Sequence, residues 1–270
     1  MINDVSLGQY FPGQSVIHRM DPRIKLIMVM AYIVMLFMAF NFLSLLFTVV
    51  FFAFIIIISR VPFKTVLKSL KPIIPIIIFT SIIQIFYMGG QVVIKFWIIE
   101  ITKEGIFYAV FIVIRICLLI SGSSLLTYTT TPTALTDALE RLLSPLKLLK
   151  VKVHELAMMM TLALRMVPTL IEETDKIMSA QKARGADIDT GGFLKRIRAL
   201  IPILIPLFVS SFRRAYELAI AMECRCYKGG EGRTCMKMLK MSRLDLYAVL
   251  VFVLSLGGVI ALNYAMPPVI

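Results

Sequence analysis

The chain has 270 residues, 59% hydrophobic and 17% charged, with 29 Lys and Arg against 16 Asp and Glu for a formal net charge of +13. An average soluble domain is about 45–50% apolar and about 25% charged, so a soluble or disordered chain is excluded. The 14 glycines exclude collagen and the four cysteines a disulfide scaffold, which leaves an integral membrane protein with a basic excess. Residues 1–23 carry Asp4, His18, Arg19, Asp21 and Arg23 and no apolar run. No small-residue cleavage site follows them, so no secretory signal peptide is expected. From Leu26 to Ser59 there is no charge over 34 residues, about 51 Å as one helix against a hydrocarbon core of about 30 Å. Two short spans are therefore predicted, 24–40 and 43–58, turning at Asn41. Further spans are predicted over 72–88, 105–127 and 244–264. Segment 199–212 is also apolar, but its 14 residues contain Pro202 and Pro206, which reads as interfacial or buried rather than spanning.

Five spans put the termini on opposite sides, and Lys and Arg prefer cytoplasmic loops. Segment 1–25 is net +1 and segment 59–71 is net +4. Segment 128–243, with 19 basic and 11 acidic residues, is net +8, while the loop 89–104 is neutral. The whole +13 therefore falls on one face, with the N-terminus inside and the C-terminus outside. Cys224, Cys226 and Cys235 lie on that reducing side and Cys117 lies in a span. No nearby His or fourth Cys completes a tetrahedral metal set, so the cysteines read as small polarizable packing residues.

The 116 residues of segment 128–243 are too many for a connector and are not of low complexity. Thr131-Pro132 opens an amphipathic helix on Leu135, Leu139, Leu142 and Leu143 that ends near Ser144-Pro145. A second helix is predicted over about 153–183, bent or interrupted at Pro168, and a third over about 193–226, bent at Pro202 and Pro206. The last two helices resemble each other at a shift of 41 residues. Val167, Ile171, Thr174, Met178 and Ala180 fall onto Phe208, Phe212, Ala215, Ala219 and Ala221. Both stripes end in an Arg, in Ala183-Arg184-Gly185 and in Cys224-Arg225-Cys226, and glycines follow each. A single such Arg is most simply a solvated cation at the negative end of a helix dipole. Two of them on similar helices point to a paired docking device, since the Arg fork binds carboxylates bidentately and keeps its charge.

Catalytic and nucleotide-binding chemistry is missing. Gly229-Gly230-Glu231-Gly232-Arg233-Thr234 has Arg233 where a phosphate loop needs Lys and Tyr227 where it needs its first Gly, so it reads as a turn. Asp137 with Glu140, Glu172-Glu173, and Asp187 with Asp189 could hold a metal ion. Each stands beside a basic neighbour, Arg141, Lys176, or Lys182 and Arg184, so helix salt bridges account for them. His18 and His154 are too far apart in sequence for a nucleophilic triad to be nominated. Arg115 is an intramembrane charge: it either has a function or faces the interior, bonded to carbonyls or to Gln84 and Ser81. Ser121-Gly122-Ser123-Ser124 and Gly257-Gly258 permit close helix approach. The 17 Met residues suit core filling or a re-packing surface.

These residues also carry a resemblance. Gly13-Gln14-Ser15, His18-Arg19, Asp21-Pro22-Arg23 and Lys25-Leu26 are similar to the opening of the transmembrane T component of energy-coupling factor vitamin importers, which are ABC-type transporters. Thr136-Asp137, Leu139-Glu140, Leu142-Leu143-Ser144-Pro145-Leu146 and His154-Glu155-Leu156 continue it. Arg165, Pro168-Thr169-Leu170 and Ala180 to Ala186 follow, then Phe212-Arg213-Arg214-Ala215 and Ala221 to Thr234. The likeness covers nearly the whole chain and is strongest in the cytoplasmic half. It implies an all-α integral membrane protein with about five transmembrane helices and a cytoplasmic module of long coupling helices. Residues 1–127 would hold the tail and four spans, 128–243 the coupling module, and 244–270 the last span and outer C-terminus.

The resemblance further implies a non-catalytic transporter subunit in the bacterial cell membrane. Its partners would be two ATPases, similar or identical, which bind ATP and Mg, and one membrane subunit that captures the vitamin or other micronutrient. No cofactor, metal or nucleic acid would bind this chain. Ala183, Arg184 and Gly185 match the family's docking box fully, whereas Cys224 stands for Ala and Cys226 for Gly around Arg225. Two other readings stay open from the residues: a permease that conducts substrate past Arg115, and a metal-dependent lipid enzyme using Asp137 and Glu140.

Overall fold

The computed structural model describes residues 10–87, 89, 92–96, 99–186, 192–230 and 241–265. Helices follow in the order α1 (Val16–Arg19), α2 (Pro22–Met38), α3 (Phe42–Ser59), α4 (Phe63–Leu70) and α5 (Ile74–Tyr87), the last two joined by a 3-10 turn at Lys71–Ile73. An antiparallel hairpin of β1 (Val92–Phe96) and β2 (Ile99–Thr102) leads to α6 (Lys103–Thr129) and α7 (Pro132–Leu142). Then come a 3-10 turn at Ser144–Leu149, α8 (Val153–Ala183), α9 (Phe193–Glu223) and α10 (Arg243–Ala265). The chain divides into two compact units. One contains Gly8–Ala138 with Lys237–Ile270, and the other contains Leu139–Met236.

Among the described residues, five helical stretches are long and apolar enough to cross a membrane: Phe42–Ser59, Phe63–Phe86, Lys103–Thr129, Ile197–Glu223 and Arg243–Ala265. The protein is thus an all-α membrane protein with one small hairpin. Two details differ from the sequence expectation. The span expected over 72–88 belongs to a longer stretch that begins at Phe63, because the turn at Lys71–Ile73 continues one helix into the next. Segment 199–212 lies within the helix expected over about 193–226, but that helix carries a stretch, Ile197–Glu223, long and apolar enough to span, where the segment alone reads as interfacial or buried. Its stretch has the lowest mean hydropathy of the five, 1.3. The predicted first span, α2, has 17 residues, about 26 Å of helix.

The first unit is built on α2, α3, α6 and α10 around Tyr32, Met35, Leu36, Phe52, Phe111, Phe252 and Val259. Gly122 lets α6 approach α2, because a Cβ there would run into the Tyr32 ring. A Cβ on Gly258 would stand 3.2 Å from Phe47 of α3, a tight contact rather than a collision, whereas Gly257 faces open space. Tyr32 also stacks on Phe52 at 5.7 Å. On the opposite face of α2, Ile27, Met30, Val34 and Phe37 are exposed, as a lipid-facing stripe requires.

The residues of the 13–25 motif form a polar clasp at one end of this unit. Asp21 caps α2, and its carboxylate accepts from the Arg23 amide at 2.9 Å and from Arg23 Nη2 at 2.6 Å. The buried Asp245 carboxylate accepts from the Asp21 amide at 2.9 Å and the Ser242 amide at 2.7 Å. Buried Lys25 donates to the Thr129 carbonyl at 3.0 Å and to Thr130 Oγ1 at 3.3 Å. It therefore places a cation on the otherwise unpaired C-terminal carbonyls of α6. His18 Nε2 donates to the Phe11 carbonyl at 3.0 Å, so its Nδ1 accepts from the Ser15 hydroxyl at 2.6 Å.

Candidate functional site

The paired Arg ends lie in the second unit, whose frame is α8 against α9. Gln181 Nε2 donates to the Pro202 carbonyl at 3.3 Å. Glu173 accepts from the Ser210 hydroxyl and pairs with Arg214 Nη2 at 2.8 Å. A Cβ on Gly230 would meet His154 Cδ2 at 2.5 Å. Each of these contacts joins an earlier residue to a later one across a centre near residues 191–192. That pattern defines an antiparallel helical hairpin. Arg184 is level with about residue 199 of α9, so Arg225 lies some 26 residues further on, about 39 Å along the axis. The two Arg ends stand at opposite ends of the hairpin.

Both ends are finished by the same backbone motif. At the first, Gly185 N–H donates to the Lys182 carbonyl at 3.0 Å and Ala186 N–H to the Gln181 carbonyl at 3.0 Å, with Gly185 left-handed at φ +86°. At the second, Cys226 N–H donates to the Glu223 carbonyl at 2.8 Å and Tyr227 N–H to the Met222 carbonyl at 3.1 Å, with Cys226 left-handed at φ +55°. This is the Schellman closure, in which the residue after the cap takes the left-handed conformation. Arg184 and Arg225 occupy the cap position in each. The 41-residue repeat therefore extends from sequence to backbone hydrogen bonds, and Cys226 adopts the conformation that Gly185 adopts.

Ala183, Arg184, Gly185, Cys224, Arg225 and Cys226 are all exposed. Among the described residues, neither guanidinium has an acidic partner, so each cation is available to a carboxylate on another chain. Cys224 and Cys226 are free thiols on the surface, which corrects the expectation that they pack internally. Cys235, Asp187, Asp189 and residues 231–234 lie outside the described residues.

Two of the acidic candidates, Glu173 and Glu140, have partners other than those the sequence suggests. Glu173 bridges to α9 rather than to Lys176, because the hairpin brings Arg214 and Ser210 to it. Glu140 binds His154 Nδ1 at 2.7 Å rather than Arg141. Among the described residues, no three His, Cys, Asp or Glu side chains converge where they could hold a metal ion. Arg115 donates from Nη2 to the Ala39 carbonyl, and its guanidinium carbon lies 4.6 Å from the Phe111 ring centroid. The carbonyl-bonded interior reading of Arg115 describes it, with Ala39 in place of Gln84 and Ser81. Sequence reasoning missed the Glu173–Arg214 bridge, although folding the sequence about residues 191–192 pairs the two dipeptides Glu172-Glu173 and Arg213-Arg214.

Comparison with known proteins supports the same segments. The cobalt transport protein family, CbiQ, matches residues 13–236. An energy-coupling factor transporter transmembrane protein EcfT from Ruminiclostridium cellulolyticum is 50% identical over 264 residues, 98% of this chain and 99% of that relative. The EcfT of Clostridium kluyveri is 50% identical over 252 residues, 93% of each chain. That of Lactococcus lactis is 45% identical over 257 residues, 94% of this chain and 97% of its own. With identity of this level along almost its entire length, the chain belongs to the EcfT/CbiQ-like family, the multi-pass transmembrane T component of energy-coupling factor transporters.

Proposed function

We propose that this chain transmits ATP-driven motion from two cytoplasmic ATPases to a separate membrane subunit that captures a vitamin or other micronutrient. The observation that carries the reading is the pair of identical Schellman ends. Each presents an exposed Arg, and they lie about 39 Å apart along one hairpin. A spacing of that size suits two similar acidic grooves on two ATPases, with Ala183 and Gly185, or Cys224 and Cys226, as small neighbours of each docked Arg. ATP and Mg are bound by those partners, which hydrolyse the ATP, and this chain is non-catalytic. Closure of the ATPases shifts the two ends of the hairpin and so the membrane unit, against which the capture subunit releases its load. The basic excess supports an orientation with the N-terminus and residues 128–243 in the cytoplasm and the C-terminus outside.

The test is ATP-driven uptake by reconstituted complexes carrying Arg184→Glu and Arg225→Glu together. Loss of ATPase association and of uptake is expected, because each reversed charge faces an acidic groove. Unchanged association and uptake would sink the docking reading. Vitamin binding by the purified chain alone would instead favour a permease that carries its own substrate.

A further inference from the structure

The two Arg ends share a backbone closure, but they are supported differently. Around Gly185 no described atom lies within 4 Å of where a Cβ would stand, and the described tie nearest that end is Gln181 Nε2 on the Pro202 carbonyl. Beyond Arg225 the chain turns at Gly229, φ +90°, and Gly230 comes down on the first turn of α8. A Cβ on Gly230 would meet His154 Cδ2 at 2.5 Å, Cγ at 2.8 Å and Cβ at 3.0 Å. A real Cβ cannot sit there unless the imidazole moves. The imidazole is in turn held by Glu140, which binds Nδ1 at 2.7 Å. With Glu140 ionised the carboxylate only accepts, so Nδ1 carries the proton. Nε2 is buried without a hydrogen-bond partner among the described residues, which leaves the ring oriented by Glu140 and by its packing on Gly230.

We infer that His154 is a positioning residue for Arg225. Oriented by Glu140, it receives the glycine return of the chain and fixes the second docking end to the start of α8. This rests on the docking role proposed above for Arg225. It explains why two glycines follow the second end: Gly229 supplies the left-handed turn and Gly230 the bare surface on which the imidazole lies. It also makes the two docks unequal. The Arg225 end is tied to the start of α8 through Gly230 and His154, whereas the Arg184 end is joined to α9 through Gln181 on the Pro202 carbonyl.

The test is a double-mutant cycle on the assembled complex, reading the affinity of the ATPases for the membrane subunits. His154→Ala and Gly230→Ala are each combined with the parent protein, with Arg184→Ala and with Arg225→Ala. Each is expected to weaken binding about tenfold in the parent and in Arg184→Ala, and less than about twofold in Arg225→Ala. His154→Asn, which keeps an N–H donor in the place of Nδ1, should retain most of the affinity. Equal losses in all three backgrounds, or no loss in the parent, overturn the positioning role. If Arg225→Ala leaves ATPase binding unchanged, the docking reading fails first and the positioning role falls with it.

Discussion

The two units of this protein are held together by opposite means. In the membrane unit a polar clasp is buried and matched: Asp245 is 1% exposed and Lys25 5% exposed, each with more than one partner. In the second unit Ile203 is buried, but most of the large apolar groups of α9 are outside. Leu204, Ile205, Phe208, Val209 and Phe212 of α9 are exposed, and only Val153 and Ala157 of α8 are buried. Across the hairpin, the described polar contacts join Gln181 to the Pro202 carbonyl and Glu173 to Ser210 and Arg214. A unit with a closed core and buried hydrogen bonds resists local opening, whereas one with few buried contacts re-packs at low cost. On that ground the hairpin is expected to open locally more readily than the membrane unit.

The comparison breaks most severely at Asp245. Asp245→Ala removes the acceptor of two backbone N–H groups, those of Asp21 and Ser242. Leaving a buried donor unsatisfied costs about 1–3 kcal/mol, so a loss of about 3 kcal/mol or more is expected. It should appear as a lower thermal midpoint of the detergent-solubilised protein. A next, smaller effect belongs to Gly122→Val. Its side chain would collide with Tyr32, and overpacking of this kind costs about 1–3 kcal/mol. The same thermal assay checks it, and Tyr32→Ala in the same chain should restore part of the loss if the contact with Tyr32 is the cause.

In the hairpin, Glu173→Gln should cost only about 1 kcal/mol, because Arg214 is half-exposed and a pair of this kind contributes little. Hydrogen exchange is the sharper readout. Faster exchange across α8 and α9, with α2 and α6 unchanged, would place the effect in the hairpin alone. Equal acceleration in the membrane unit would contradict that difference in local stability.

How legible each unit was in the sequence follows from the range of its contacts. The long helices α8 and α9 could be read because their stripes are local and Arg and Gly mark their ends. The charge-free runs likewise announced most of the spans. The clasp around Asp21 and Lys25 could not be read, since its partners lie 224 and 104 residues away. Only the resemblance drew attention to the 13–25 motif, and the structure shows what its residues hold. The β1–β2 hairpin was missed because its alternation is short and hydropathy treats a strand between two spans as a loop. For Glu173, a nearby Lys176 offered an adequate local partner, and the cross-hairpin Arg214 became visible only when the two helices lay side by side. The two Arg ends were marked by the 41-residue repeat, but the repeat does not reveal that both close by one backbone motif.

That shared closure gives the smallest effect and the finest comparison, because one end uses glycine where the other uses cysteine. A left-handed conformation costs an L-residue about 1–2 kcal/mol that glycine does not incur. Gly185→Cys is therefore expected to destabilise the end of α8 by about 1 kcal/mol, since nothing described lies near enough to clash and only the backbone conformation opposes it. Cys226→Gly removes the same strain but gives the unfolded chain more freedom, so its net gain should be only about 0.5 kcal/mol. The measurement is hydrogen exchange of the amides that close each end, those of Ala186 and Tyr227. They should shift in opposite directions in the two variants. ATPase affinity supplies the second readout. If Cys226→Gly closes the turn more firmly and leaves docking unchanged, the second end works through Arg225 and its backbone. If docking weakens while the turn tightens, the thiol itself contributes to the contact, and the two ends differ in chemistry as well as in support.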